Sequence, residues 1–167
     1  MKTRLAVAAL LATVALLACD NASFPQNAPN APAANNAPVP FQMTMGDMMN
    51  TLIQPRHAKL GLAGHDENWA LANYAIREIQ QSFTAITKSI PRWRGLPVPE
   101  LVEAAVGQPI KAVAAAIKQK DAQKFAEAYG QLTQGCNACH ATADHQFVVI
   151  KAPDASNFPN QDFSTRQ

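Results

Sequence analysis

Between Asp121 and His140 the chain reads DAQKFAEAYGQLTQGCNACH. Asp121 is a good helix N-cap, because its carboxylate can accept from the free backbone amides of a first turn. Phe125, Tyr129, Leu132, Cys136 and Cys139 then recur at steps of three and four, the spacing of one helix face. Nothing interrupts that period, so the stretch predicts a helix over 122–140. Both cysteines lie on its apolar stripe.

The end of this helix, Cys136-Asn137-Ala138-Cys139-His140, carries the chemistry. Two thiols three residues apart can add to the two vinyl groups of one porphyrin. The adjacent imidazole then lies under the iron, which is the spacing that attaches a c-type haem. Two other chemistries use similar residues. A thioredoxin-like pair belongs at the start of a helix that follows a strand, whereas this pair ends a long helical pattern. A structural zinc centre needs a fourth ligand and usually a second cysteine knuckle, and the sequence offers no such spacing.

Working outward towards the N-terminus, Val102, Val106, Val113 and Ile117 predict a third helix that starts at Pro99, kinks at Pro109 and closes at Lys118–Lys120. Trp69, Ala72, Ile76, Ile79, Phe83, Ile86 and Ile90 predict a second, capped by Asp66 and stopped by Pro91. Met45, Met49, Ile53, His57 and Leu60 form the stripe of a first helix, kinked or split at Pro55 and ended by Gly61 and Gly64. The link 91–98, with Arg92, Trp93 and Arg94, reads as a basic loop bearing an exposed aromatic. Four such helices with short links predict an all-α fold, an antiparallel four-helix bundle over 43–147. No internal repeat is visible in the sequence.

Beyond His140 the chain carries the apolar run Phe147-Val148-Val149-Ile150, expected to fold back over the bundle, since four exposed apolar residues in a row are costly. Residues 148–167 read as an extended tail. At the other end, 1–18 has the form of an export signal: basic Lys2 and Arg4, then an apolar run too short to span a bilayer. Leu16-Leu17-Ala18-Cys19 resembles a bacterial lipobox, which makes Cys19 the expected lipidation site. Several acyl chains suffice for stable anchoring. Asp20 resembles an inner-membrane retention signal, so the expected location is periplasm-facing, anchored to the inner membrane. Residues 19–42, rich in Pro, Asn and Ala, read as a disordered tether with a reach on the order of 25 Å.

Two of the 14 Lys and Arg residues, Lys2 and Arg4, fall in the export signal, so the remainder balances the 12 Asp and Glu. Nothing in that balance suggests nucleic acid as a partner. The three cysteines are all assigned, Cys19 to lipid and Cys136 and Cys139 to haem, leaving none for a disulfide.

Four helices with the motif in the last one resemble the class II c-type cytochromes, the cytochrome c′ group, over roughly Met43 to Phe147. The tail after the motif is longer than that family carries, and Pro55 stands where it has a continuous helix. The resemblance implies one covalent haem c within the bundle, with Cys136 and Cys139 as thioethers and His140 as the proximal iron ligand. It also implies a side chain from the first helix on the opposite face. His57 is the candidate distal ligand, Met49 and Met45 are its rivals, and an open iron is the remaining option. His65 reads as solvated, His145 as a helix-end or propionate partner, and Arg56 and Lys59 as flank or propionate charges. The expected function is single-electron transfer between redox partner proteins, with no catalytic residues. The alternative is a five-coordinate protein that binds NO or CO or handles peroxide. Homodimers are frequent among such relatives.

Overall fold

The structure is a computed structural model that describes residues 41–164. The expected export signal, Cys19 with its lipid, Asp20 and nearly all of the tether therefore lie outside the described residues.

The described chain is mostly α-helical. The first helix runs through three contiguous segments: Met45–Met48, a π-helical turn Met49–Ile53, and Gln54–His65. The second spans Trp69–Ser89. The third again has three parts: Val98–Val102, a π-helical turn Glu103–Gly107, and Gln108–Gln119. The fourth is Ala122–Thr142, capped as predicted by Asp121, whose carboxylate accepts from the Lys124 amide at 3.0 Å.

Several expectations are corrected. Pro55 does not split the first helix, and the third helix likewise runs on through Pro109. Each proline follows a π-turn by two residues, and in the first helix the Gln54 amide reaches back five residues to Met49 O. Proline has no amide and its ring crowds the preceding turn, so a locally wider helix accommodates it without a break. Gly61 and Gly64 do not end the first helix but lie buried within it. A Cβ on Gly61 would strike Tyr129 and Pro153, and one on Gly64 would strike the Phe125 ring. They are there for close helix approach. The second helix is capped by Asn68, which accepts from Leu71 N at 3.1 Å, and not by Asp66.

The first helix passes to the second, and the third to the fourth, through the same device. Glu67 and Lys120 adopt left-handed φ values of 53°. Asn68 N then bonds Ala63 O while Glu67 N bonds Gly64 O; likewise Asp121 N bonds Ala116 O and Lys120 N bonds Ile117 O. These are Schellman closures, after which Asn68 and Asp121 cap the next helix at once. Turns this tight leave consecutive helices antiparallel.

Links this short also define the two ends of the bundle. At one end Leu60, Ile76, Val113, Phe125 and Leu132 close a continuous core. At the other end, where the first and third helices begin and the second and fourth finish, Met48, Ile53, Ile86 and Val98 form a smaller cluster. The link between the second and third helices is not a plain loop. Arg92–Trp93 pairs antiparallel with Leu96–Pro97. Its two turn residues, Arg94 (φ 51°) and Gly95 (φ 85°), both have the positive φ of a type I′ hairpin.

The tail from Val148 has no regular secondary structure, as its composition predicts, yet it is packed along the bundle. Pro153 lies against Gly61, Lys59 sits over the Phe158 ring at 4.8 Å, Phe163 is buried, and Asn68 Nδ2 donates to the carbonyls of Phe163 and Ser164. It straps the length of the molecule from the motif to the turn between the first two helices. The expected burial of the whole run 147–150 is corrected. The backbone folds back, but Phe147, Val148 and Val149 remain 75%, 40% and 73% exposed; Val148 and half-buried Ile150 border the cleft described below.

Candidate functional site

The end of the bundle with the smaller core contains a cleft with a cavity of about 310 Å³. Cys136, Cys139 and His140 form one wall, from the last two turns of the fourth helix. Met45, Met49, Ile53 and His57 enter from the first helix, and Leu101, Val102, Ala105 and Val106 from the third. Both π-turns thus lie in the walls, where a wider helix redirects side chains. Gly135 matters on the motif side, because a Cβ there would collide with the carbonyl oxygen of Ala105. The close approach this permits seats the fourth helix against the third just before the cysteines.

The motif is held by the chain that follows it. The fourth helix ends in a third Schellman closure: His145 N bonds His140 O at 2.7 Å, Asp144 N bonds Ala141 O at 3.3 Å, and Asp144 has φ 57°. The chain reverses at once, bringing the Val148 carbonyl to His140. His140 Nδ1 lies 2.7 Å from that oxygen, and a carbonyl only accepts, so Nδ1 carries the proton. In the neutral ring Nε2 is then unprotonated and able to bind a metal. A second-sphere hydrogen bond of this kind orients a ligating imidazole and makes it more basic. Asn137, the residue inside the motif, fixes the same return. Its Nδ2 donates to Ile150 O at 2.9 Å, and its Oδ1 accepts from Ile150 N at 2.7 Å.

The two thiols are half-buried in apolar surroundings. Burial, with a smaller contribution from Cys139, pushes Cys136 up to about 11, and burial also raises Cys139. Both are thus protonated at neutral pH. A disulfide-exchange pair needs a lowered thiol pKa, so this environment is the opposite of a thioredoxin-like one.

His57 is buried and lines the cleft, but both ring nitrogens are engaged. Nε2 lies 3.0 Å from Thr133 Oγ1, and Nδ1 lies 3.0 Å from the Tyr129 hydroxyl, with the two rings stacked at 4.7 Å. Thr133 donates its only proton to Tyr129 O at 2.9 Å, so it accepts from Nε2–H. Burial pushes His57 down to about 4, and the neutral ring presents a bare Nδ1 to the Tyr129 hydroxyl. That hydroxyl is also 2.9 Å from His57 O and shares its proton between the two. The network fastens the first helix to the fourth within one turn of Cys136.

Trp93, read as an exposed loop aromatic, and His145, read as a helix-end or propionate partner, both line the cleft. Trp93 is half-buried in its wall and not an exposed loop aromatic. His145 lies 5.1 Å from the Trp93 ring and 5.3 Å from Phe147. His145 Nδ1–H donates to Ala143 O at 2.7 Å. The hairpin turn that tucks Trp93 inward requires a positive φ at an arginine, which composition does not reveal. His65 is exposed beside Asp66, Arg56 pairs with Glu78 at 3.4 Å, and Lys59 covers Phe158; none of these three lines the cleft.

A flat apolar cofactor with two vinyl groups fits these donors. The cleft walls are mainly hydrocarbon, the two thiols share one wall, and a pinned imidazole adjoins them. Among the described residues no group of three or more His, Cys, Asp or Glu side chains is arranged to hold a bare metal ion. No family model, characterised protein or solved structure matches the chain.

Proposed function

We propose that residues 41–164 form a monohaem c-type cytochrome domain that transfers single electrons between redox partner proteins. The observation that carries the reading is the His140 Nδ1–H bond to Val148 O, which leaves Nε2 unprotonated beside two half-buried thiols in an apolar cleft. Bound there, the haem supplies a one-electron couple at its iron. Cys136 and Cys139 hold it as thioethers, and His140 is its proximal ligand. The strap from Val148 to Ile150 orients that ligand, while the apolar walls exclude water.

A second protein ligand to the iron would come from the first helix. His57 is not the ligand in this reading, because binding iron would cost it a buried hydrogen bond to Thr133 or Tyr129. Met49 and Met45, whose sulfurs have no such commitment, are the candidates there. The same commitment of His57 favours one second reading, an open iron that binds CO or NO. To the tether the reading adds a lipid at Cys19 and inner-membrane anchoring facing the periplasm, with partner proteins reached from the membrane surface and homodimers among its assembly states.

The deciding experiment is haem staining on a denaturing gel followed by reduced and CO-difference spectra. Covalent haem is expected in the wild type and absent in a Cys136→Ala, Cys139→Ala double variant. No retained haem in the wild type overturns the proposal, and rapid stoichiometric CO binding selects the second reading. Metabolic labelling with palmitate tests the anchor, with label expected in the wild type and lost in Cys19→Ala.

A further inference from the structure

Holding a haem does not require a phenol aimed at an imine nitrogen, yet Tyr129 and His57 provide one. The sequence has two tyrosines, and they differ completely: Tyr74 is exposed on the second helix, and Tyr129 is buried. Tyr129 stacks on Phe125 (5.7 Å, 11°), and Phe125 meets Trp69 edge-on at 6.1 Å. A file of rings therefore runs from His57 in the cleft wall to half-buried Trp69 at the far end of the bundle. Cys136 lies seven residues beyond Tyr129 on the same helix, about 10 Å along its axis.

A buried phenol resists oxidation when its proton has no acceptor, because removing the electron alone leaves an uncompensated charge in an apolar interior. The bare Nδ1 of His57, 3.0 Å from the hydroxyl, removes that obstacle. We propose that Tyr129, with His57 as its proton acceptor, is a redox-active site that gives an electron to the haem when hydrogen peroxide oxidises it. The inference rests on the haem reading above in its open-iron form, since peroxide must reach the iron.

The step balances. The Tyr129 O–H bond breaks, its electron goes to the oxidised haem, and its proton goes to His57 Nδ1. This leaves a neutral phenoxyl radical and an imidazolium. The imidazolium donates from Nδ1 to the phenoxyl oxygen and from Nε2 to Thr133 Oγ1. Hydrogen peroxide takes that electron, a second from the haem iron and two protons from solvent, and becomes two waters. Two equivalents of a one-electron reductant of the ascorbate class return the two electrons, that of Tyr129 through Trp69 and the other to the haem, and Nδ1 returns the Tyr129 proton.

The test is freeze-quench electron paramagnetic resonance of the haem-loaded protein mixed with one equivalent of hydrogen peroxide. A tyrosyl signal is expected in the wild type, retained in Tyr74→Phe and lost in Tyr129→Phe. In the wild type it should carry a hyperfine coupling that disappears after equilibration in deuterium oxide, the mark of the Nδ1 proton. Tyr74→Phe decides the matter even if Tyr129→Phe folds poorly, because it removes only an exposed ring and leaves Tyr129 as the sole tyrosine. No tyrosyl signal in Tyr74→Phe, or a signal that survives in Tyr129→Phe, overturns the inference. If the purified chain holds no covalent haem, the haem reading fails. Azide radical generated by pulse radiolysis then interrogates the pair alone: tyrosyl absorbance in Tyr74→Phe supports a redox-active Tyr129, and its absence overturns it.

Discussion

The two ends of the bundle are built from the same four helices and differ in what fills them. At the closed end Leu60, Ile76, Val113, Phe125 and Leu132 interdigitate, Gly61 and Gly64 let the helices approach, and Phe163 of the strap adds a ring. At the cleft end two π-turns widen the first and third helices ahead of Pro55 and Pro109, and the smaller cluster of Met48, Ile53, Ile86 and Val98 leaves a cavity. Side-chain volume thus holds one end shut, and helix register opens the other. Fold stability is concentrated where the rings and branched aliphatics meet, leaving the motif end free to take a guest.

The sharpest way to break that comparison is to make equivalent truncations at both ends. Leu132→Ala, at a fully buried position, is expected to cost about 4 kcal/mol in denaturant unfolding. Met49→Ala, in the cleft wall, is expected to cost less than half of that. Equal losses would show that the cleft end carries as much of the fold as the closed end.

The His57 network joins the two ends and should make stability depend on pH. Its folded pKa of about 4 lies below the unfolded value of 6.5, so the unfolded chain binds the proton more readily. Its contribution is complete above pH 6.5, falls as pH drops towards 4, and levels off below that. The total is about 3 kcal/mol from the 1.36 kcal/mol that each unit represents. Unfolding midpoints measured from pH 7.5 to 3.5 should show this slope, and His57→Gln should flatten it. A wild type with no slope between 6.5 and 4 would mean that the ring is hydrated.

The closed end was the more legible in the sequence. The stripe Phe125, Tyr129, Leu132 and the Asp121 cap stand in the structure where the spacing put them, because packing there obeys an undisturbed 3.6-residue period. The misreadings share a cause. Gly61 and Gly64 read as stops, but a glycine also serves where a neighbour presses on the backbone, and the sequence does not show what lies opposite. Pro55 reads as a kink or a split and Pro109 as a kink, since a π-turn has no local signature. At the candidate site, Cys136, Cys139 and His140 were legible from spacing alone. The Val148 carbonyl, the inward Trp93 and the second engaged nitrogen of His57 depend on left-handed turns at Asp144 and Arg94 and on contacts between distant helices, which no residue pattern encodes.

Gly64 offers a smaller and more local test of the closed end. A Cβ there would overlap the Phe125 ring, which is itself held between Trp69 and Tyr129. Gly64→Ala should therefore destabilise by about 2 kcal/mol through overpacking, although alanine is the better helix former. A stabilised Gly64→Ala would show that the Phe125 ring yields and that the closed end is looser than its burial implies.

The smallest expected energy belongs to Asn137, whose effect should show in the cofactor. Its two hydrogen bonds to Ile150 are partly exposed, so Asn137→Ala should cost only about 1 kcal/mol of stability. Those bonds fix the return that sets Val148 O on His140 Nδ1. A carbonyl accepting from Nδ1 enriches the opposite nitrogen in electron density, which favours ferric iron and lowers the midpoint potential. Asn137→Ala should accordingly raise the potential of the haem-loaded protein. Phe158→Ala loosens the strap at its far end, away from His140, and should lower the unfolding midpoint while leaving the potential unchanged. If both variants moved the potential equally, the strap would act only through stability. If only Asn137→Ala moved it, Asn137 would be the residue that couples the tail to the iron.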